Sequence, residues 1–391
     1  MTFTGTFTST VIPGSNGTSN SSRLTLNLRA ATLTSASTRL QLNARSYLTI
    51  LGGALSAAYN GGLISFNPNS GMSSHDITLD GFSFTGQANG IADFLWLNHA
   101  YNVTISNCSA ENISTFVYAD STLNHDILIT GCYAGGSADV TGQDDLIHIG
   151  DMANLTIEKC KLVGRAPADP TTRHNDIIQN YTKGGAYPGN PTNWVIRYNW
   201  IELQERSGSG DCSWLMFQSM NGSPALKVYG NVFIGTGTVG NNGICISRNA
   251  GGSYYFYNNT VIRHGNPDND IRFLAPGTLY FRNNVGVQDS NSSAYNFITC
   301  TMGAGAAWDY NFFYRTGAGS NYSGPHGSLS ADPLFVSYAG NNFSLATNSP
   351  LRGKGDTSIG AEYNTGIAPG ATWPNPKLTA RSPWSVGAFA Y

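Results

Sequence analysis

Charge is what this 391-residue chain has least of: 11% of it is Asp, Glu, Lys or Arg. The 21 Lys and Arg nearly balance the 23 Asp and Glu, so the basic footprint that nucleic acid requires is absent, and so is an acidic solvating tail. No run of about 18 apolar residues occurs, which leaves no membrane span to expect. The opening residues, MTFTGTFTSTVIPG, contain no basic stretch followed by an apolar one, so no signal peptide is visible there. Six cysteines are scattered and no two form C-x-x-C, which argues against a zinc site or a thioredoxin-type motif. What the chain does have is turn chemistry, with 46 Gly and 39 Asn. Both residues favour tight turns and positive φ. Twenty Tyr and 18 Phe with so few charges argue against disorder and for an all-β protein with many short strands.

An internal repeat is the strongest signal. The pattern apolar, any, apolar, any, any, then Cys or Asn ends at Cys108, Cys132 and Cys160, then at Asn199, Asn231, Asn259, Asn284 and Asn311. Two earlier units end at Gly53 and Phe82. Three short strands per unit cannot pair as hairpins in this order. They can form a coil in which each strand pairs with its copy one winding later, about 4.8 Å away. The expected fold is therefore a right-handed parallel β-helix of about ten coils over residues 46–315. Three Cys followed by five Asn fit one internal turn column, in which an Asn amide bonds the windings above and below and a reduced Cys fills space. Solenoid ends need covering. Residues 1–45, Ser/Thr-rich with alternating Leu24, Leu26 and Leu28, are expected to cap the N-terminal end, and residues 316–391, where the repeat is lost, to pack as a tail on the C-terminal end.

The repeat resembles the pectate-lyase-like right-handed parallel β-helix superfamily. Asp332-Pro-Leu-Phe335, Ser349-Pro-Leu351 and Val386-Gly-Ala-Phe389 look like the tail of many secreted bacterial members. The resemblance covers roughly residues 45–391. It implies a fold rather than a reaction, because the superfamily holds lyases, glycoside hydrolases, esterases, epimerases and phage tailspikes. It implies a secreted or extracellular protein with a polysaccharide as partner, monomeric, or else a virion-associated trimer of tailspike type.

Chemistry concentrates where the windings lengthen. The steps from Cys160 to Asn199 and from Asn199 to Asn231 are the longest, and residues 139–211 hold 17 of the 44 charged residues. Outsized loops on a rigid solenoid border binding grooves. Gly142-Gln-Asp-Asp-Leu-Ile-His148, Arg173-His-Asn-Asp-Ile-Ile-Gln179 and Asp211-Cys-Ser-Trp-Leu-Met-Phe-Gln218 fall on consecutive windings. With Ile147 and Ile178 inward, His148 and Gln179 stand side by side, and Asp145 and Asp176 share a turn. Asp residues also cap such turns through local backbone bonds.

Three mechanisms fit. In a lyase, Asp144, Asp145 and Asp176 hold Ca²⁺ against a substrate uronate, and a base among Lys183, Arg173, His174 and Arg206 removes the proton α to the carboxylate. In a hydrolase, Asp145 works with Asp176 or Asp211. Gly142-Gln-Asp-Asp-Leu-Ile resembles the Asp-Asp motif of polygalacturonases, but their upstream Asn-Thr-Asp is replaced by Ser114-Thr-Phe-Val-Tyr118. In a non-catalytic glycan binder, aromatic side chains stack on sugars. Tyr181 and Tyr187 are the better platforms, followed by Tyr198, Trp200 and Trp214, while Trp194 belongs to the core. Arg165, Arg173, Lys183, Arg197, Arg206 and Arg248 are candidate carboxylate clamps. The lyase is preferred to the hydrolase, with Asp145, His148, Arg173, His174, Asp176 and Lys183 catalytic and Gln179, Tyr181, Tyr187, Arg206, Asp211, Gln218 and Arg248 binding substrate.

Overall fold

The computed structural model describes the chain apart from residues 35–36, 57–61, 67–71, 87–91, 122, 137–144, 166–175, 182–191, 205–212, 218–224, 237–242, 247–251, 265–270, 274–276, 289–297, 301–306, 316–323 and 329–330. Its strands pair in parallel with their copies one winding on, in three ladders. The first ladder includes Ser74–Asp80, Ala100–Ser106, His125–Thr130, Ala153–Glu158, Trp194–Arg197 and Ala225–Tyr229; the second includes Ser109–Ile113, Tyr133–Gly136, Lys161–Arg165, Trp200–Gln204 and Val232–Thr236. The third holds ten short strands, among them Asp93–Leu97, Val117–Ala119, Ile147–Ile149, Ile178–Asn180 and Leu215–Phe217. The protein is thus an all-β parallel solenoid of about eight turns. The repeat predicts ten, and the difference turns on whether the irregular windings at the ends are counted.

Alternation builds the core. Val103, Ile105, Ile127, Ile129, Leu155, Ile157, Ile196 and Val228 are buried, stacked in register, while the residues between them face outward. Each such side chain contributes about 1.5–3 kcal/mol on burial. Between the first and second ladders the backbone turns through a left-handed residue on one winding after another. Gly131 takes it at φ 62 at no steric cost, and Asn107, Lys159, Tyr198, Asn258 and Asn283 take it at φ 52 to 59.

The residue after that turn forms the expected column. Asn199 donates through Nδ2 to Oδ1 of Asn231 (3.0 Å), Asn231 to Asn259 (3.1 Å), Asn259 to Asn284 (3.1 Å) and Asn284 to Asn311 (3.0 Å). Each Nδ2 also reaches a core carbonyl, as Asn231 does at Ile196 (2.9 Å), and each Oδ1 accepts a backbone N–H from the preceding winding, as Asn231 does from Asn199 (3.0 Å). Both ends of every amide are therefore occupied in a dry interior. Cys108, Cys132 and Cys160 continue the column as free, buried thiols. Burial pushes the Cys132 thiol well up, so it stays protonated.

At the N-terminal end, residues of the 1–45 stretch continue the ladders. Thr2–Phe7 pairs in parallel with Leu24–Leu33, which pairs onward with Ser46–Leu51. Leu24, Leu26 and Leu28 alternate because they already belong to an inward ladder, so the solenoid starts near residue 2. The tail packs on the last winding, where Ser328 pairs in parallel with Phe312, and along the flank of the rod. Phe343, Tyr363, Ile367 and Phe389 share a buried cluster with Tyr198, Trp200, Tyr229 and Tyr257 of the windings. Asn375 reaches back to Asn107 (2.8 Å) and to the Lys159 carbonyl (2.9 Å), and Arg282 pairs with Asp356 (2.7 Å). Aromatic residues on the outer face of the turns draw the tail there: left bare, they would be a large apolar strip.

Candidate functional site

The third ladder is the wall on which the expected residues meet. Its strands place buried residues at both flanks, apolar except for Asn180, with one residue of free choice between them, and parallel register stacks those central residues. They run Ser65, Trp96, Tyr118, His148, Gln179 and Met216 on successive windings. His148 and Gln179 are therefore neighbours. The residue in line on the next winding is Met216, whereas Gln218 lies two positions further and outside the described residues.

Three residues before the central position, a carboxylate recurs. Oδ2 of Asp93 accepts from the Trp96 indole (2.6 Å), Oδ2 of Asp145 bonds Nδ1 of His148 (3.0 Å), and Oδ2 of Asp176 accepts from the Gln179 amide (3.2 Å). Oδ1 of Asp145 also accepts the backbone N–H of Asp176 (3.2 Å). Asp145 and Asp176 thus occupy the same place on adjacent windings, each fastening its own wall residue. Both are buried, at 5% and 2% exposure. A carboxylate only accepts, so this bond orients the His148 ring through Nδ1 and leaves Nε2 on the far side of the ring from Asp145.

Exposure grades along this wall. Trp96 and Tyr118 are exposed, His148 is half-buried, and Gln179 and Met216 are buried. The Tyr118 and His148 rings stack with centroids 4.9 Å apart and planes 12° apart, and the exposed Tyr181 meets His148 edge-on at 6.5 Å. Sequence reasoning missed Trp96 and Tyr118. The signal available for them was the shared apolar-x-apolar frame of Leu95-Trp-Leu97, Val117-Tyr-Ala119 and Ile147-His-Ile149.

Other expected residues lie elsewhere. Trp194 is core as expected, its indole bonded to the Met152 carbonyl (2.7 Å). Trp214 is not a sugar platform: it is fully buried and bonded to the Ile234 carbonyl (2.9 Å). Trp200 and Tyr198 are covered by the tail, Trp200 lying 5.1 Å from Trp373. Arg197 is not a clamp on this wall. It stands on the first ladder, bonded to Glu158 (2.7 Å) and the Tyr229 hydroxyl (2.9 Å). Asp144, Arg173, His174, Lys183, Tyr187, Arg206, Asp211 and Arg248 lie outside the described residues, as does the side chain of Arg165. Among the described residues no three metal-ligating side chains come together. Asp145 and Asp176 are engaged with His148, Gln179 and the Asp176 backbone N–H.

Compared with family models, curated proteins and solved structures, the chain returns no match. The fold and the wall's geometry therefore carry the functional reading.

Proposed function

We propose that this protein is an extracellular polysaccharide lyase of the pectate-lyase-like superfamily, acting as a monomer on an acidic glycan along the third-ladder wall. The observation that carries the reading is the Asp145–His148 pair, set in the column where exposed aromatic residues run along the rod. His148 accepts the proton from the carbon α to a uronate carboxylate. A carbon–carbon double bond forms, the glycosidic carbon–oxygen bond breaks, and the leaving oxygen takes up a proton. Asp145 orients the imidazole and offsets the charge it gains. Tyr118 and Tyr181 pack around the ring, and the cations of segments 166–175 and 182–191, which adjoin this wall in sequence, supply the carboxylate clamps. The buried state of Asp145 and Asp176 speaks against paired-carboxylate hydrolysis, which needs both groups at the bond being cut.

The test is incubation with a panel of uronic-acid polymers. Ultraviolet absorbance from unsaturated ends supports elimination, and its loss in His148→Ala assigns the base. Reducing ends without that absorbance mean hydrolysis, and binding without either means a tailspike-like receptor. An unchanged rate in EDTA removes Ca²⁺ from the scheme.

A further inference from the structure

Beside the Asp145–His148 pair, toward the N-terminal end, the wall opens into a pocket of about 400 Å³. The neighbouring rings of Trp96 and Tyr118 line it, with centroids 6.2 Å apart and planes 49° apart. That angle makes a wedge, unlike the near-parallel stack of Tyr118 on His148. Both rings are 37% exposed, yet both are tethered, Trp96 to Asp93 (2.6 Å) and Tyr118 to Asp120 (3.3 Å). Leu97, Asn98, His99, Asp120 and Ser121 complete the lining. The pocket is therefore a preorganised aromatic cleft with a polar rim.

We infer that this cleft binds one neutral pyranose ring. A pyranose has an apolar C–H face suited to an indole or phenol ring and a rim of hydroxyl groups suited to a carboxylate, an amide and a hydroxyl. A wholly apolar ligand would strip water from the Asp120 carboxylate and the Ser121 hydroxyl. A uronate would set its carboxylate against Asp120, and among the described lining residues there is no Lys or Arg to offset it. Taken with the proposed lyase reading, on which this part rests, the substrate is a mixed polymer: a uronate at His148 and a neutral sugar at Trp96, about one to two windings away.

Calorimetric titration of the full chain tests this, with neutral oligohexosides and oligodeoxyhexosides in one series and oligouronides in another. At least one neutral oligosaccharide is expected to bind, weakened tenfold or more by Trp96→Ala and by Tyr118→Ala, with Trp96→Phe retaining most of the affinity. Circular dichroism checks that each variant is folded. The inference is overturned if no neutral oligosaccharide binds, if Trp96→Ala and Tyr118→Ala leave binding unchanged, or if oligouronides bind through Trp96. The outcomes separate it from the lyase reading. Trp96-dependent binding without unsaturated ends keeps the cleft and sinks the lyase, while unsaturated ends without any Trp96 dependence do the reverse.

Discussion

Two columns run along this rod with one residue per winding, and they obey opposite rules. In the turn column the same residue recurs: Asn199, Asn231, Asn259, Asn284 and Asn311 lie buried, each completing its neighbour's bonds. On the third-ladder wall the place recurs but the residue changes, from Trp96 to Tyr118, His148, Gln179 and Met216. A buried amide column works only if its members are alike, because each donor needs the next acceptor. A wall in contact with solvent has no such requirement, so its side chains can be chosen for a ligand. In a solenoid, repetition marks what holds the structure and variation on a repeated place marks what the structure presents.

The comparison breaks most sharply at Asn231. Replacing it by Ala removes the acceptor of the Asn199 backbone N–H and of one of its two Nδ2 protons, and should lower stability by about 2–4 kcal/mol, read as a drop in the denaturant midpoint. A midpoint within experimental error of wild type would show the column to be decorative. On the wall the loss should be in rate. His148→Ala should reduce elimination by about 10²–10⁴-fold with a smaller drop in the midpoint, since it also takes the ring from the buried Asp145 carboxylate, and Asp145→Asn should reduce the rate less, because the amide can still hold the ring.

The tail supplies a smaller, pH-dependent effect. Burial works against the charge on Asp356, but bonds from Ser358 and from Arg282 overcome it and hold the carboxyl below its ordinary value of 3.8. A depressed carboxyl contributes its stability fully above the ordinary value and loses it as pH falls through the lower, folded one. The tail should therefore loosen in acid below pH 3.8. Asp356→Asn should cost about 1–2 kcal/mol at neutral pH and flatten that acid limb, as measured by thermal melts across pH. The least effect belongs to Trp96→Ala, whose exposed ring should shift the midpoint by about 0.5 kcal/mol or less. A large shift there would mean that the wall too is structural.

The same contrast explains what was legible in the sequence. The fold could be read because Cys108 to Asn311 repeat one requirement in one frame. The register of His148 with Gln179, and of Asp145 with Asp176, followed from that frame. Trp96 and Tyr118 escaped because their strands are short and their identities unlike, so no periodicity singles them out. Trp200 and Tyr198 looked available for the converse reason: they point out of the coil, and only the tail, which has no repeat to align, covers them. Leu24, Leu26 and Leu28 read as a cap because their winding lacks the closing Cys or Asn, although their alternation is also that of a ladder.

The returning segment changes how such a rod can come apart. A stack held only by adjacent layers frays one layer at a time from an open end. Here Asp356 is tied to Asn283, Glu362 to Lys227, Trp373 to Tyr198 and Asn375 to Asn107, so peeling back the last layers strains fastenings far upstream. The stretch between Asn107 and Asn283 is laced into one cooperative block, and unzipping has its easier start at the opposite end, on Thr2–Phe7.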